Sequence, residues 1–159
     1  FEMMNNISNA MVCEDTQSMF DFIADEEAAA NGPIGVTGYC MSGPFVFAAA
    51  AEFPNRIKAA ASIHGVRLFI DGPTSPHLTA EKIQGEMYFG CAEHDQWAPP
   101  EMIDALDAHL EDAGINYRIE WYPGTEHGFV FPQRGDIYKK AAAERHWEVL
   151  FAMLQRNVG

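Results

Sequence analysis

Three residues of this 159-residue chain stand where their side chains have the means for acyl chemistry: Cys40, Asp95 and His127. Cys40 lies in Gly38-Tyr39-Cys40-Met41-Ser42-Gly43, between a short β-type run and an apolar helix-like run. Small residues two before and two after a nucleophile suit a sharp strand-to-helix turn. There the backbone folds back without Cβ collisions, at dihedrals that cost roughly 1–3 kcal/mol. The following helix offers its free N–H groups and the positive end of its dipole to the sulfur, which favours a thiolate. The N–H of Met41 is the expected donor to the oxyanion of an attacked carbonyl. The competing reading is that Cys40 is a small packing residue, as most free cysteines are. Cys13 and Cys91 lack that setting: Cys91 ends a buried strand and Cys13 precedes an amphipathic helix, so both are expected to pack.

Asp95 follows the run Glu86–Cys91 and precedes a proline-initiated helix, so it is either an orienting carboxylate or a helix cap. His127 sits in the glycine-flanked loop Gly124-Thr125-Glu126-His127-Gly128, where an exposed loop histidine is the plain alternative. Taken together, the order is nucleophile, acid, histidine, each after a successive strand. That is the chain order of an α/β-hydrolase triad.

These residues need elements to hold them, and the pattern supplies alternating strands and helices. Residues 15–30 carry Met19, Phe20, Phe22 and Ile23 at helical spacing, stopped by Asn31, Gly32 and Pro33. A strand is expected over Ile34–Gly38, a helix from Ser42 to about Phe53 closed by Pro54, and a buried strand over Ile57–Ile63. Residues 66–85 are loop-rich, with one helical turn near Thr79–Ile83. Then come a strand over Glu86–Cys91, an amphipathic helix over Pro99–Ala113 with Gly114 as its C-cap, a strand over Tyr117–Tyr122 and a helix from about Tyr138 to Arg156. Strands separated by helices mean βαβ units and a parallel sheet covered by helices. The class is α/β, in a single domain over residues 1–159. The eight methionines and the Phe45/Phe47 pair read as core.

Composition narrows the function. The apolar share is 48% and the net charge −13, with 10 Lys and Arg against 23 Asp and Glu. Such an acidic chain is a poor partner for nucleic-acid phosphates and for anionic membranes. Its longest apolar run, Phe45 to Ala51, is far short of the ~20 residues that cross a bilayer. Three cysteines without a CxxC pair argue for a reducing compartment, the cytoplasm. Six histidines without ligand spacing predict no metal site. The chain opens with Phe1 rather than Met.

The segments GYCMSG, SIHG…SPHL, MYFGCAEHDQWAPPE, WYPGTEHGF and AAAERHWEVL resemble the dienelactone hydrolase family of α/β-hydrolases over nearly the whole chain. The resemblance implies Cys40 as nucleophile, His127 as general base and later acid, and Asp95 as the group orienting His127. It implies hydrolysis of a lactone or ester through a thioester acyl-enzyme, without metal or organic cofactor. Tyr39, His64, Trp97, Phe129 and Phe131 are then the candidates to line the substrate site. For His64 a satisfied structural histidine is the competing reading. His77 is a further pocket candidate, whereas packing and a solvated face explain His146 and Trp147.

Several features depart from the family pattern. The strands that normally precede residue 15, with a second oxyanion donor, have no counterpart here, so about four strands are expected. Ser42 replaces a glycine at the turn. Phe131 stands where some members place an arginine for a substrate carboxylate, which points to a neutral or apolar ester. The strand Ile34–Gly38 is left with one unpaired edge, which invites a homodimer or higher homo-oligomer. The alternative reading is a weakly active or inactive remnant of the fold that binds or assembles rather than catalyses. A thiol-transfer role for Cys40 is weakened by the lack of a CxxC partner.

Overall fold

The computed structural model describes residues 6–159. Helix α1 spans Asn9–Ala24, β1 Ile34–Tyr39, α2 Gly43–Glu52, β2 Ile57–Ile63, β3 Glu86–His94, α3 Pro100–Ala113, β4 Tyr117–Glu126 and α4 Lys140–Val158. The four strands form one parallel sheet in the order β1-β2-β3-β4. Register brings Tyr39 level with Ile63, and Ile63 level with Gly90. The carboxyl ends of β1, β2 and β3 therefore rise to one rim, where an open parallel sheet binds its ligands.

The period-two alternation of the strands builds two cores. Ala60, Met87, Phe89 and Cys91 face one side and pack with Phe47 of α2 and with Ile103, Leu106 and Leu110 of α3. Ala59, Ala61, Ile63, Tyr88 and Ala92 face the other, against Ala143, Val149, Leu150 and Met153 of α4. The run of alanines in β2 lets helices approach both faces of that central strand. In α3, Pro100 opens the helix where its missing N–H is no loss, and Gly114 closes it at φ 65°, as expected.

The differences from expectation have local causes. Helix α1 runs from Asn9 to Ala24 rather than 15 to 30, because Ser8 caps it by accepting from the Met11 N–H and Asp25 ends it. Residues 25–33 turn instead, so Asn31-Gly32-Pro33 precedes β1 without terminating a helix. Strands β3 and β4 extend to His94 and Glu126 through polar residues that read as loop. The loop after β2 carries its 3-10 turns over Pro76–Lys82. The core expectation also needs correcting. Met87 and Met153 are fully enclosed, but Met11, Met19 and Phe22 are exposed and Phe45 is only half-buried beside an enclosed Phe47. Met3 and Met4 lie outside the described residues. No helix among the described residues is long and apolar enough to cross a membrane.

Candidate active site

Cys40 follows β1 directly and begins a single 3-10 turn, Cys40–Ser42, that runs into α2. Its φ is +55°, a left-handed conformation that a residue with a Cβ adopts at a cost. Two glycines make the turn possible through space rather than through dihedrals. A Cβ on Gly38 would lie 2.5 Å from the Ser42 carbonyl oxygen, and one on Gly43 2.6 Å from the Gly65 Cα. Ser42 fastens the turn. Its hydroxyl accepts from the Tyr39 N–H (2.7 Å) and donates to the Tyr39 carbonyl (2.8 Å). The serine that breaks the expected glycine pattern is thus the brace of the elbow, a role that residue size alone does not reveal.

Asp95 and His127 meet as the chain order anticipates. His127 Nδ1 lies 2.7 Å from Asp95 Oδ2, with the Asp95 side chain 1% and the His127 side chain 13% exposed. The other carboxylate oxygen, Oδ1, accepts the backbone N–H groups of Trp97 (2.9 Å) and Ala98 (3.1 Å). The helix-cap reading of Asp95 is corrected: Pro99 holds the cap position of α3 with no side-chain bond, and Asp95 instead fastens the preceding loop with one oxygen and meets the imidazole with the other. Burial pushes its carboxyl upward, but His127 and the two N–H groups outweigh that and hold it below the ordinary carboxylate value.

Cys40 is half-buried and its thiol makes no hydrogen bond to His127 among the described contacts. The ring set against His127 is that of His64. This residue ends β2 at φ +39°, donates its backbone N–H to the Gly90 carbonyl (2.7 Å) and is 1% exposed. Its ring lies edge-to-face with His127 at 4.8 Å between centroids, and close to Tyr39 (6.0 Å), Phe129 (5.9 Å) and Phe131 (5.4 Å). The turn that carries it touches the elbow, since the Val66 N–H donates to the Cys40 carbonyl (3.2 Å). The expectation of a satisfied structural histidine is overturned: among the described residues no group meets either ring nitrogen. Burial first, and then the neighbouring His127, pull His64 down to about 3, so the ring is neutral.

The other candidates separate. Tyr39 and Phe131 are half-buried and meet at a tilt, with 5.5 Å between ring centroids, beside His64. Trp97 is 52% exposed and lines a cavity of about 380 Å³ together with His127, Gln96, Glu126 and Arg134. Phe129 is wholly enclosed, packed on Tyr122 (4.8 Å), so it backs His64 rather than facing a ligand. His77 is buried, with Nδ1 2.5 Å from the Ser75 hydroxyl, and belongs to a loop cluster with Phe69 and His109. His146 is enclosed within α4, and its Nε2 lies 3.3 Å from the Tyr39 hydroxyl, joining that helix to the residue before Cys40. Sequence reasoning missed that link; only the helical spacing of His146 with Ala143, Val149 and Met153 marks it as inward-facing.

A larger cavity of about 760 Å³ runs between α1, α2 and the loop after β2, with Met41 and Val66 in its wall, and includes neither Cys40 nor His127. Among the described residues no group of three His, Cys, Asp or Glu side chains is placed to hold a metal ion.

A parallel sheet with helices on both faces, a strained residue on the turn after β1 and an acid–histidine pair on the loops after β3 and β4 define an α/β-hydrolase fold. The chain belongs to the dienelactone hydrolase family, whose model matches residues 1–158. It is 24% identical over 135 residues to "Protein usf" of Aquifex pyrophilus, covering 85% of this chain and 56% of that protein. It is 26% identical over 160 residues to "Putative carboxymethylenebutenolidase" of a Synechocystis strain, covering 99% of this chain and 64% of the relative. Among solved structures, "Putative Dienelactone Hydrolase from Klebsiella pneumoniae" superposes with a TM-score of 0.83 at 20% identity, over 96% of this chain and 63% of the other. The chain thus spans between about half and two thirds of the length of these relatives.

Proposed function

We propose that this chain carries the catalytic residues of a cysteine-dependent hydrolase acting on a small, uncharged lactone or carboxylic ester. The observation that supports it most directly is the 2.7 Å Asp95–His127 contact on the same sheet rim as the strained Cys40. In this reading the Cys40 sulfur attacks the carbonyl carbon and His127 holds the thiol proton. The carbonyl oxygen becomes an oxyanion facing the Met41 N–H. The C–O bond then breaks, the leaving alkoxide takes the proton from His127, and a thioester remains on Cys40. Water then gives a proton to His127 and its oxygen adds to the thioester carbonyl. The C–S bond breaks and the sulfur leaves with the electron pair, restoring the starting pair. Asp95 keeps the His127 tautomer fixed with Nδ1–H toward the carboxylate, leaving Nε2 for these transfers.

The roughly 380 Å³ cavity beside His127 suits a small substrate, and it carries one cation, Arg134, and one anion, Glu126, rather than a clamp of one sign. Phe131, set against Tyr39 and His64, adds an apolar wall nearby.

A second reading rests on the missing Cys40–His127 hydrogen bond: a remnant of the fold that binds or assembles. Hydrolysis of p-nitrophenyl acetate by the wild type, Cys40→Ala and Cys40→Ser separates the two. The hydrolase reading expects turnover that drops about 10²-fold or more in Cys40→Ala, as loss of a nucleophile does. Turnover equal in wild type and Cys40→Ala removes Cys40 from the chemistry, and no turnover in any form favours the remnant.

A further inference from the structure

His64 is a histidine whose ring makes no hydrogen bond among the described residues, in a place where imidazole is costly. Both ring nitrogens are buried without a protein partner, inside a wall formed by Tyr39, Phe129 and Phe131. Buried polar groups are almost always paired, and a phenyl ring would fill this space without leaving nitrogens unmet. The backbone adds to the cost, because His64 is held at φ +39°. Nitrogens left so call for a hydrogen-bonding partner beyond the described residues, and one that reaches a group 1% exposed is small.

Its neighbours narrow what that partner is. One edge meets the His127 ring at 4.8 Å between centroids, and the turn that follows His64 donates to the carbonyl of Cys40. His64 is therefore set against the ring of His127, on a loop that also touches the elbow. The reaction proposed above needs one small molecule at that place, after the first product has left: the water that attacks the thioester.

We propose that His64 holds the hydrolytic water together with His127. The water donates one hydrogen to His127 and the other to the unprotonated nitrogen of His64, which leaves an oxygen lone pair for the acyl carbon. Only the proton given to His127 is transferred. His64 stays neutral, so it accepts throughout and adds no repulsion when His127 becomes charged. Its fall to about 3 through burial accords with that role. The proposal rests on the thioester reading, since without an acyl-enzyme there is no second step to assist.

The test separates the two half-reactions. Wild type, His64→Phe and His64→Gln are mixed rapidly with p-nitrophenyl acetate, and the burst, the steady state and the mass of the Cys40-containing peptide are followed. His64→Phe keeps the shape of the ring and removes the nitrogens. Its burst should match wild type within about twofold, while deacylation slows about tenfold or more, the worth of one lost hydrogen bond. Acetylated Cys40 should then accumulate. Hydroxylamine, a nucleophile that needs no such alignment, should release the acetyl group equally fast from both proteins. His64→Gln, with an amide oxygen to accept, should recover part of the deacylation rate.

Equal slowing of burst and deacylation, or an unchanged deacylation rate, overturns the role of His64 and leaves the thioester reading standing. Failure of both variants to fold, judged by circular dichroism, marks His64 as a packing residue and overturns it too. Absence of any acetyl-Cys40 in the wild type under these conditions overturns the thioester reading, and this inference with it.

Discussion

At the scale of single residues, the three cysteines differ in what surrounds the sulfur. Cys91 points into the core between the sheet and the helices α2 and α3, and burial together with Asp95 pushes its thiol up to about 12. Cys13 is also raised, by burial and by Glu52. Since thiolate and not thiol reacts, both are expected to be slow toward iodoacetamide at neutral pH. Cys40 lies half-open on the elbow. Peptide mapping after brief alkylation should find the label on Cys40 first, by about tenfold or more over the other two. Labelling of Cys13 at an equal rate would show that the elbow confers no special reactivity. The expectation was partly legible in sequence, because only Cys40 stands between a strand-like run and a helix-like run with a small residue two before and two after it, Gly38 and Ser42. The pairing of Asp95 with His127 was legible for the same kind of reason: both follow strands. The emptiness around the His64 nitrogens was not, since a sequence does not say which of its neighbours carry hydrogen-bonding groups.

At the scale of the element, the strand–turn–helix unit from Ile34 to Glu52 depends on close backbone approach. Gly38 lies against the Ser42 carbonyl and the Val46 side chain, so a methyl group there meets backbone that has no room to move. Gly38→Ala should lower the melting temperature, with a destabilisation of about 1–3 kcal/mol as for an overpacked core site, and should reduce acyl transfer further by shifting Cys40. Ordinary stability with full esterase activity would mean that the elbow tolerates the methyl and is less tight than its distances indicate. Element boundaries were read less well than element types, and for physical reasons. The polar tails of β3 and β4 stay in the ladder because Glu126 still pairs with His94 across a bulge, a non-local fact. Ser8 starts α1 early, and local apolar spacing gave no hint of that cap. Apolar spacing also misplaced the inner face of α1, where Phe20 packs on Phe53 at 5.1 Å while Met19 and Phe22 point outward.

At the scale of the whole molecule, buried neutral histidines set the acid limit of stability. His64 falls from an ordinary 6.5 to about 3, mainly by burial, and His77 and His146 are lowered by burial as well. The unfolded chain takes up these protons as pH drops through about 6.5 and the folded chain does not, so stability is complete above that value and erodes below it. Asp95 acts in the same direction but at lower pH: its carboxyl is held below the ordinary carboxylate value, so the stability its hydrogen-bonded charge contributes is lost as pH falls through the carboxylate range. Urea titrations between pH 7 and pH 4 should show unfolding free energy falling with pH, and His64→Phe should flatten the slope by about 1.4 kcal/mol per pH unit, one proton's worth. An identical slope in the variant would mean that His64 is charged in the fold.

The sheet itself carries the last expectation. Among the described residues strand β1 pairs with β2 alone, and its exposure pattern is that of a half-covered strand rather than a central one, with Thr37 exposed. On the neighbouring helix α1, Met11, Met19 and Phe22 add exposed apolar surface. An unpaired parallel edge beside exposed apolar side chains attracts another strand. We propose that the 159-residue chain on its own meets that need with a second copy, as a homodimer or larger homo-oligomer. Sedimentation velocity at micromolar concentration should show a species of at least twice 17.7 kDa. Replacing Val36 by proline, which interrupts the edge without adding charge, should shift the distribution toward monomer. A single species of one chain's mass across that range would mean that the β1 edge is stable without a partner copy.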